Sequence, residues 1–195
     1  GTNTFGENGD LGLGVLSNGA ITLANVTANG NGSDGASLDT QRLSGSPTPQ
    51  KVTLTGTNIF NGNGNTGAHT GDGLQVMADG QITINNLTAN GNAANGAELD
   101  NHTYAGTATS GLTLTGANNF LGNYYDGLNF NVIGAVSLSK ITADDNGGSG
   151  VEGITTANVL VSCGSMTGND AYGWYFSTPG IVTLKGVFSY GNLTN

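Results

Sequence analysis

The sequence predicts an all-β fold in which short parallel strands wind into one solenoid of about seven to eight coils. In most units, an Asn is followed four residues later by a Gly and an apolar–x–apolar pair, as in "NGSDGASL" and "NDAYGWYF". A run of alternating apolar and polar residues, such as "ITL", "VTL" or "LTL", begins ten or eleven residues before all but the first of these Asn and is typical of a strand. No stretch carries the apolar spacing of an amphipathic helix.

The repeated Asn sets the length of each coil. Its spacing is 23, 32, 29, 31, 23, 23 and 23 residues, and about 23 residues accommodate three short strands. We expect each Asn at a corner between two strands, where its side chain bonds neighbouring backbone and the Asn of the next coil. The Gly that follows is expected either to adopt a positive φ or to permit a close approach between coils. The structural Asn corner comprises Asn8, Asn31, Asn63, Asn92, Asn123, Asn146, Asn169 and Asn192.

Core residues of alternate coils differ in size. Phe5, Phe60 and Phe120 belong to one coil type, whereas Ala28 and Ala89 occupy the same place in the other. Such alternation fills a core layer by layer. The single cysteine, Cys163, is interpreted as a small packing residue. The residues predicted to point inward are Val26, Phe60, Leu87, Phe120, Ile141 and Val187.

This pattern resembles the right-handed parallel β-helix repeats of the pectate-lyase-like superfamily, whose phrases also contain an Asn-rich turn, a Gly and an apolar–x–apolar pair. The resemblance covers essentially the whole chain and implies a right-handed β-helix. It leaves the function open, because the superfamily includes polysaccharide lyases and hydrolases, phage tailspikes and long bacterial surface proteins. Neither end carries a capping helix or a polar capping coil, so residues 1–195 are interpreted as a single β-helix segment of a longer repeat-containing chain.

The composition restricts the partners of this chain. Only 9% of the residues are charged, the formal net charge is −9, and there is no basic cluster, which argues against nucleic acid and anionic membranes. No apolar run approaches the roughly 20 residues of a membrane helix, so membrane insertion is not expected either.

Two groups of side chains near the Asn corner of the C-terminal half are candidate ligand sites. Exposed aromatic rings beside carboxylates can stack on sugars. The predicted glycan contacts are Tyr124, Tyr125, Tyr172 and Tyr175. Carboxylates from three successive coils can hold a hard cation such as calcium, which takes six to eight oxygen ligands, or can be ordinary solvated turn residues. These candidate metal ligands are Asp126, Asp144, Asp145 and Asp170. No cofactor is required, and calcium is the cation that such a site would bind.

No complete catalytic motif is present, so no catalytic residue is expected, but two carboxylate pairs supply an alternative. Glu98 and Glu152 share an outward column two coils apart, which puts their backbones roughly 10 Å from each other. That lies just beyond the carboxyl separation of about 6.5–9.5 Å in inverting glycosidases. The adjacent Asp144 and Asp145 resemble the paired aspartates of polygalacturonases, but the Asn-Thr-Asp, Gly-His-Gly and Arg-x-Lys motifs of that family are missing.

The leading functional hypothesis is a non-enzymatic, extracellular or cell-surface building block: an adhesin-like or filament-forming segment of a bacterial surface protein. Its expected partners are further coils or copies of the same protein stacked end to end, and glycans. The alternative is a polysaccharide-active, pectate-lyase-like enzyme. A third hypothesis is ice binding through an outward column that contains Thr22, Thr53, Thr83 and Thr113 and is interrupted at Leu160.

Overall fold

A computed structural model describes residues 1–40, 49–65, 67–101 and 110–194, and every regular element in these ranges is a β-strand. The expectation of an all-β fold is therefore confirmed for this part of the chain. None of the described residues forms a helix of the length and apolarity that spanning a membrane requires. The sequence also predicts two long loops, "DTQRLSGSPTPQK" from Asp39 and "DNHTYAGTATSG" from Asp100, and most of their residues lie outside the described ones.

In the described ranges, nineteen strands form two sheets, and every strand pair in them is parallel. The larger sheet contains β1 (Asn3–Thr4), β3 (Ile21–Ala24), β4 (Val26–Thr27), β6 (Val52–Thr55), β7 (Asn58–Ile59), β9 (Ile82–Asn85), β10 (Leu87–Thr88), β12 (Leu112–Thr115), β13 (Asn118–Leu121), β15 (Val136–Asp144), β17 (Val159–Thr167) and β19 (Val182–Tyr190). The smaller sheet contains β2 (Leu13–Leu16), β5 (Ala36–Asp39), β8 (Leu74–Met77), β11 (Ala97–Asp100), β14 (Leu128–Val132), β16 (Val151–Thr155) and β18 (Trp174–Ser177).

Strands pair with their counterparts in the preceding and following sequence repeat. In the smaller sheet the order is β18-β16-β14-β11-β8-β5-β2, so neighbours in the sheet are also neighbours in repeat number. The register keeps equivalent residues opposite each other: Glu98 is the Cα partner of Gln75 on one side and of Asn129 on the other. Each repeat therefore contributes one residue to every column of side chains.

A bend divides the larger sheet into two series of strands, which merge into the long strands β15, β17 and β19. One residue at this bend adopts a positive φ in every repeat after the first, including two that are neither Gly nor Asn: Lys140 at 49° and Cys163 at 60°. Cys163 is exposed rather than packed, so its interpretation as a packing residue was wrong. The cause is the left-handed bend, which turns this side chain out of the core.

Alternate residues of the strands point inward and form one continuous apolar core. Phe60 and Phe120 are fully buried, and so are Ala28 and Ala89 in the intervening repeats. Large and small side chains thus alternate through the core as predicted, at the close packing typical of protein interiors. Of the six residues predicted to point inward, five are buried, and Val187 is half-buried and packs against the core.

The Gly that follows each Asn is required by a close approach between repeats. None of these glycines has a positive φ; instead, a Cβ on Gly127 would lie 2.6 Å from the carbonyl oxygen of Gly150. The positive φ falls on the residue directly before each Asn, which is Gly in six repeats, Glu7 in the first and Asp145 in the sixth. Of the two reasons that the sequence left open for the later Gly, the close approach is the correct one.

Candidate functional site

The eight repeated Asn form a hydrogen-bonded column, the asparagine ladder, that runs along the described chain. From Asn31 onward, the Oδ1 of each Asn accepts hydrogen bonds from both the backbone N–H and the Nδ2 of the Asn in the preceding repeat, as between Asn92 and Asn63 at 3.0 and 3.1 Å. The Nδ2 also donates to a carbonyl, as from Asn92 to Phe60 at 3.1 Å. From Asn31 onward the ladder residues are buried. Because the ladder groups bond one another and neighbouring carbonyls, the column holds repeats together instead of facing a ligand.

A second column, the aspartate ladder, lies just before the smaller sheet. Asp34 Oδ1 accepts the N–H of Asp72 at 2.9 Å, and Asp72 Oδ1 accepts the N–H of Asn95 at 2.8 Å. Asn95 and Asp126 continue the same pattern towards the next repeats, at 3.0 and 2.7 Å. Asn can replace Asp in this column because only a side-chain carbonyl oxygen is needed to accept the backbone N–H.

The four predicted metal ligands do not meet at one point. Asp126 accepts the N–H of Ser149 and, at 2.8 Å, the Nδ2 of Asn129. Asp144 Oδ1 accepts the N–H of Thr167 at 2.8 Å. Among the described residues no group of three or more His, Cys, Asp or Glu side chains is placed to hold a metal ion. At least two of the four carboxylates bond protein donors on neighbouring repeats.

The adjacent Asp144 and Asp145 have separate structural explanations. Asp144 occupies a third column in which Asn29, Asn61 and Asn90 accept backbone N–H groups of the following repeat in the same way. Asp145 is exposed and occupies the left-handed position before Asn146, with φ at 56°. Asp and Asn tolerate this conformation better than most residues that carry a Cβ. Their adjacency therefore follows from two neighbouring backbone requirements.

Glu98 and Glu152 do not face each other, because Asn129 stands between them in register. Glu152 accepts a hydrogen bond from the Ser149 hydroxyl at 3.0 Å, and Glu98 accepts one from Gln75 Nε2 at 3.3 Å. A second partner of Glu98 is the carboxyl group of Asp72, which hydrogen-bonds to it. The pKa of Asp72 is raised to about 7, mainly because the side chain is buried. The hydrogen bond to Glu98 and the negative charges of Glu98 and Asp34 raise the pKa further, and together these effects outweigh the hydrogen bond from the Asn95 N–H, which lowers it.

Sequence reasoning missed Asp72, although a signal was present. Counted from the Asn, its position is irregular because the repeat of Asn63 carries a six-residue insertion. Counted back from the Gly, it is regular: Asp34-Gly35, Asp72-Gly73, Asn95-Gly96 and Asp126-Gly127 all place an Asx residue directly before the Gly. Alignment on the Gly would have found the aspartate ladder.

The predicted aromatic residues form a surface that we name the tyrosine corner: Tyr124, Tyr125, Tyr172 and Tyr175. Tyr124 and Tyr125 contact each other edge to face at 5.0 Å, and Tyr172 packs on Tyr175 at 5.1 Å. Tyr124, Tyr125 and Tyr175 are 47%, 46% and 41% exposed, respectively, so much of each side chain remains accessible to a ligand. Trp174, which lies between Tyr172 and Tyr175 in the sequence, is partly buried and packs against the core instead of joining this surface.

Glycines separate the two tyrosine pairs. Gly147 and Gly148 belong to the intervening repeat, and Gly148 links the two sides through hydrogen bonds to the Tyr125 carbonyl and from the Ala171 N–H at 2.8 and 3.0 Å. The two pairs are therefore two strand spacings apart, about 10 Å. Because Gly147 and Gly148 carry no side chain, only backbone lies between the tyrosine pairs at these two positions, whereas Ser149 and Glu152 of the same repeat make the middle of the surface polar.

The insertion in the Asn63 repeat supports the tyrosine corner. Its His69 stacks on Tyr124 with ring centroids 3.7 Å apart and an interplanar angle of 15°. The repeat of Asn92 lies between the insertion and Tyr124. The insertion contacts this repeat at a small residue, Ala94, which donates its N–H to the Gly71 carbonyl. His69 thereby covers one face of the Tyr124 ring, an element of the site that the sequence did not reveal.

The predicted outward Thr column is present on the larger sheet, and its later members, Thr113, Ser137, Leu160 and Thr183, help to line a shallow groove of about 600 Å³. Thr22, Thr53, Thr83 and Thr113 are successive Cα partners. Ser137, Leu160 and Thr183 continue the column. The apolar Leu160 interrupts the row of hydroxyl groups that a regular ice-binding face would present.

No protein-family model, no curated protein and no solved structure matches this chain.

Proposed function

We propose that the chain forms a right-handed parallel β-helix and serves as a rigid, non-enzymatic segment of an extracellular bacterial surface or filament-forming protein. The observation that carries this proposal is the continuity of the hydrogen-bonded ladders, which join repeat to repeat over the described chain. Strands that pair only in parallel with the neighbouring repeats support the β-helix. Many of the Asn and Asp side chains that could serve a catalytic site instead form hydrogen bonds between repeats.

Stacking onto further coils or onto another copy of the chain is part of this proposal. In β19, Val182 and Leu184 are 42% and 50% exposed, whereas their Cα partners Val159 and Val161 in β17 are buried. These inward positions are apolar in every repeat, so a further layer of strands would bury them. The same stacking that joins the repeats would then extend the structure.

We further propose that the tyrosine corner contacts a glycan. Tyrosine rings bury the apolar face of a sugar, and their hydroxyl groups hydrogen-bond to it. The two ring pairs, about 10 Å apart along the direction in which repeats stack, suit a chain of sugars better than a single ring. The net charge of −9 and the neighbouring carboxylates of Asp126 and Glu152 favour a neutral glycan over one that carries uronate or sulfate.

Calorimetric titration with neutral oligosaccharides tests the glycan contact. We expect Tyr125→Ala and Tyr172→Ala each to weaken binding about tenfold, because each removes one stacking ring. Tyr190→Ala is the matched control, since Tyr190 is 72% exposed and belongs to neither of the two ring pairs. Equal binding by all variants, or tighter binding of polyuronates than of neutral oligosaccharides, would contradict the proposal.

An enzyme acting on polysaccharides is the second candidate, and the Asp72–Glu98 pair is the observation in its favour. Paired carboxyl groups in which one has a raised pKa are the usual acid and base of glycoside cleavage. Incubation with acidic and neutral polysaccharides, with and without calcium, separates the candidates. We expect no new reducing ends and no unsaturated products; turnover that is lost in both Asp72→Asn and Glu98→Gln would establish the enzyme instead.

A further inference from the structure

Asp72 is a buried carboxyl group at the contact between repeats. It directly precedes Gly73 and β8, and only 6% of its surface is exposed. One oxygen accepts the Asn95 N–H at 2.8 Å, which ties it to the following repeat. The side chain also hydrogen-bonds to Glu98, which lies on β11 of that same following repeat.

The charged groups around Asp72 are all acidic. On the preceding repeat, Asp34 accepts the Asp72 N–H at 2.9 Å, and beyond Asp34 lies Asp10. On the following repeat stands Glu98, whose own neighbour Gln75 donates to it at 3.3 Å. Among the described residues, no cation is among the groups that act on Asp72. Two carboxyl groups hydrogen-bond to each other only if one of them carries a proton.

We propose that the Asp72–Glu98 pair is a proton-dependent hydrogen bond that stabilises the contact between two neighbouring repeats. With one shared proton, the pair adds a hydrogen bond to the contact between β8 and β11. Without it, two carboxylates repel each other at the same place, beside the carboxylate of Asp34. This inference concerns the stability of the fold and does not depend on the proposed function.

The direction of the pH dependence follows from the folded and unfolded states. Burial is the main cause that raises the pKa of Asp72 to about 7 in the folded state, whereas the unfolded chain has the ordinary value of 3.8. The folded state therefore holds the proton more tightly. The stability that the proton contributes is fully present below about pH 4 and is lost as the pH rises to about 7.

Thermal unfolding of the whole chain between pH 5 and pH 8 tests the proposal. We expect the melting temperature of the unaltered chain to fall by about 5 °C more than that of Asp72→Asn over this range. Asn fits the same ladder, since Asn95 occupies the next position in it. Asp126→Asn is the control: it makes the same change in the same ladder at a carboxylate that hydrogen-bonds to Asn129 instead of to a second carboxyl group.

Carbon-13 NMR of the carboxyl groups gives a second readout that does not depend on unfolding or on a variant that folds. We expect one carboxyl resonance to titrate with a midpoint near pH 7, and we expect this midpoint to shift to lower pH in Glu98→Gln. The proposal is overturned if no carboxyl group titrates above pH 6, or if Asp72→Asn keeps the pH profile of the unaltered chain.

Discussion

Each buried asparagine of the asparagine ladder stabilises the fold through several hydrogen bonds at once. Its Oδ1 accepts two hydrogen bonds and its Nδ2 donates as well, as at Asn92. An isolated buried amide would cost free energy, because its donors and acceptor would lose water without replacement. In the asparagine ladder, the buried amide oxygens from Asn31 onward accept from the preceding Asn. A single break therefore leaves unsatisfied groups on the neighbouring repeats.

Asn92→Ala tests this dependence on one residue. The change removes the acceptor of the Asn63 N–H and Nδ2 and leaves Asn123 Oδ1 without its Nδ2 donor. We expect the free energy of unfolding to fall by about 3 kcal/mol, measured by urea denaturation, because buried polar groups lose their partners. Asn119→Ala, at a half-buried outward position of β13, is the control and should cost less than about 1 kcal/mol. Equal losses for the two variants would contradict the role given to the ladder.

Strands and turns show which features can be predicted from a pattern and which cannot. Alternating apolar residues and regularly spaced Asn predicted parallel strands, inward residues such as Phe60 and Phe120, and the repeat length. The positive φ of Lys140 and Cys163 was not predictable, because these residue types normally avoid that conformation. Only their register with Gly116 and Gly186 at the same bend explains them.

Insertions hide spatial neighbours from a sequence. The insertion before Gly73 moves Asp72 away from its expected distance to Asn63 and brings His69 onto Tyr124, which is more than fifty residues later. Both contacts depend on which repeats lie side by side. The positions of the tyrosines along the chain predicted their grouping, whereas the buttressing by His69 and the pairing of Asp72 with Glu98 required the structure.

At the scale of the whole molecule, stacking of repeats links stability, pH response and the proposed function. The asparagine ladder is uncharged and holds the repeats together independently of pH. The aspartate ladder also joins side-chain oxygens to backbone N–H groups of a neighbouring repeat but contains carboxylates, so its contribution near Asp72 depends on the proton concentration. A rigid segment built in this way would keep the two halves of the tyrosine corner at a fixed separation, which is what recognition of an extended glycan needs.

In-register disulfide formation between engineered cysteines tests the stacking of repeats most directly. In a Cys163→Ser background, Thr83→Cys with Thr113→Cys places two cysteines on Cα partners of adjacent strands, whose spacing of about 4.8 Å permits a disulfide. Thr53→Cys with Thr113→Cys spans two strand spacings, about 10 Å, which is too far for one. Mass spectrometry after mild oxidation should show a nearly complete intramolecular disulfide in the first variant and none in the second. A disulfide in the second variant, or its absence from a folded first variant, would contradict the parallel stacking of repeats.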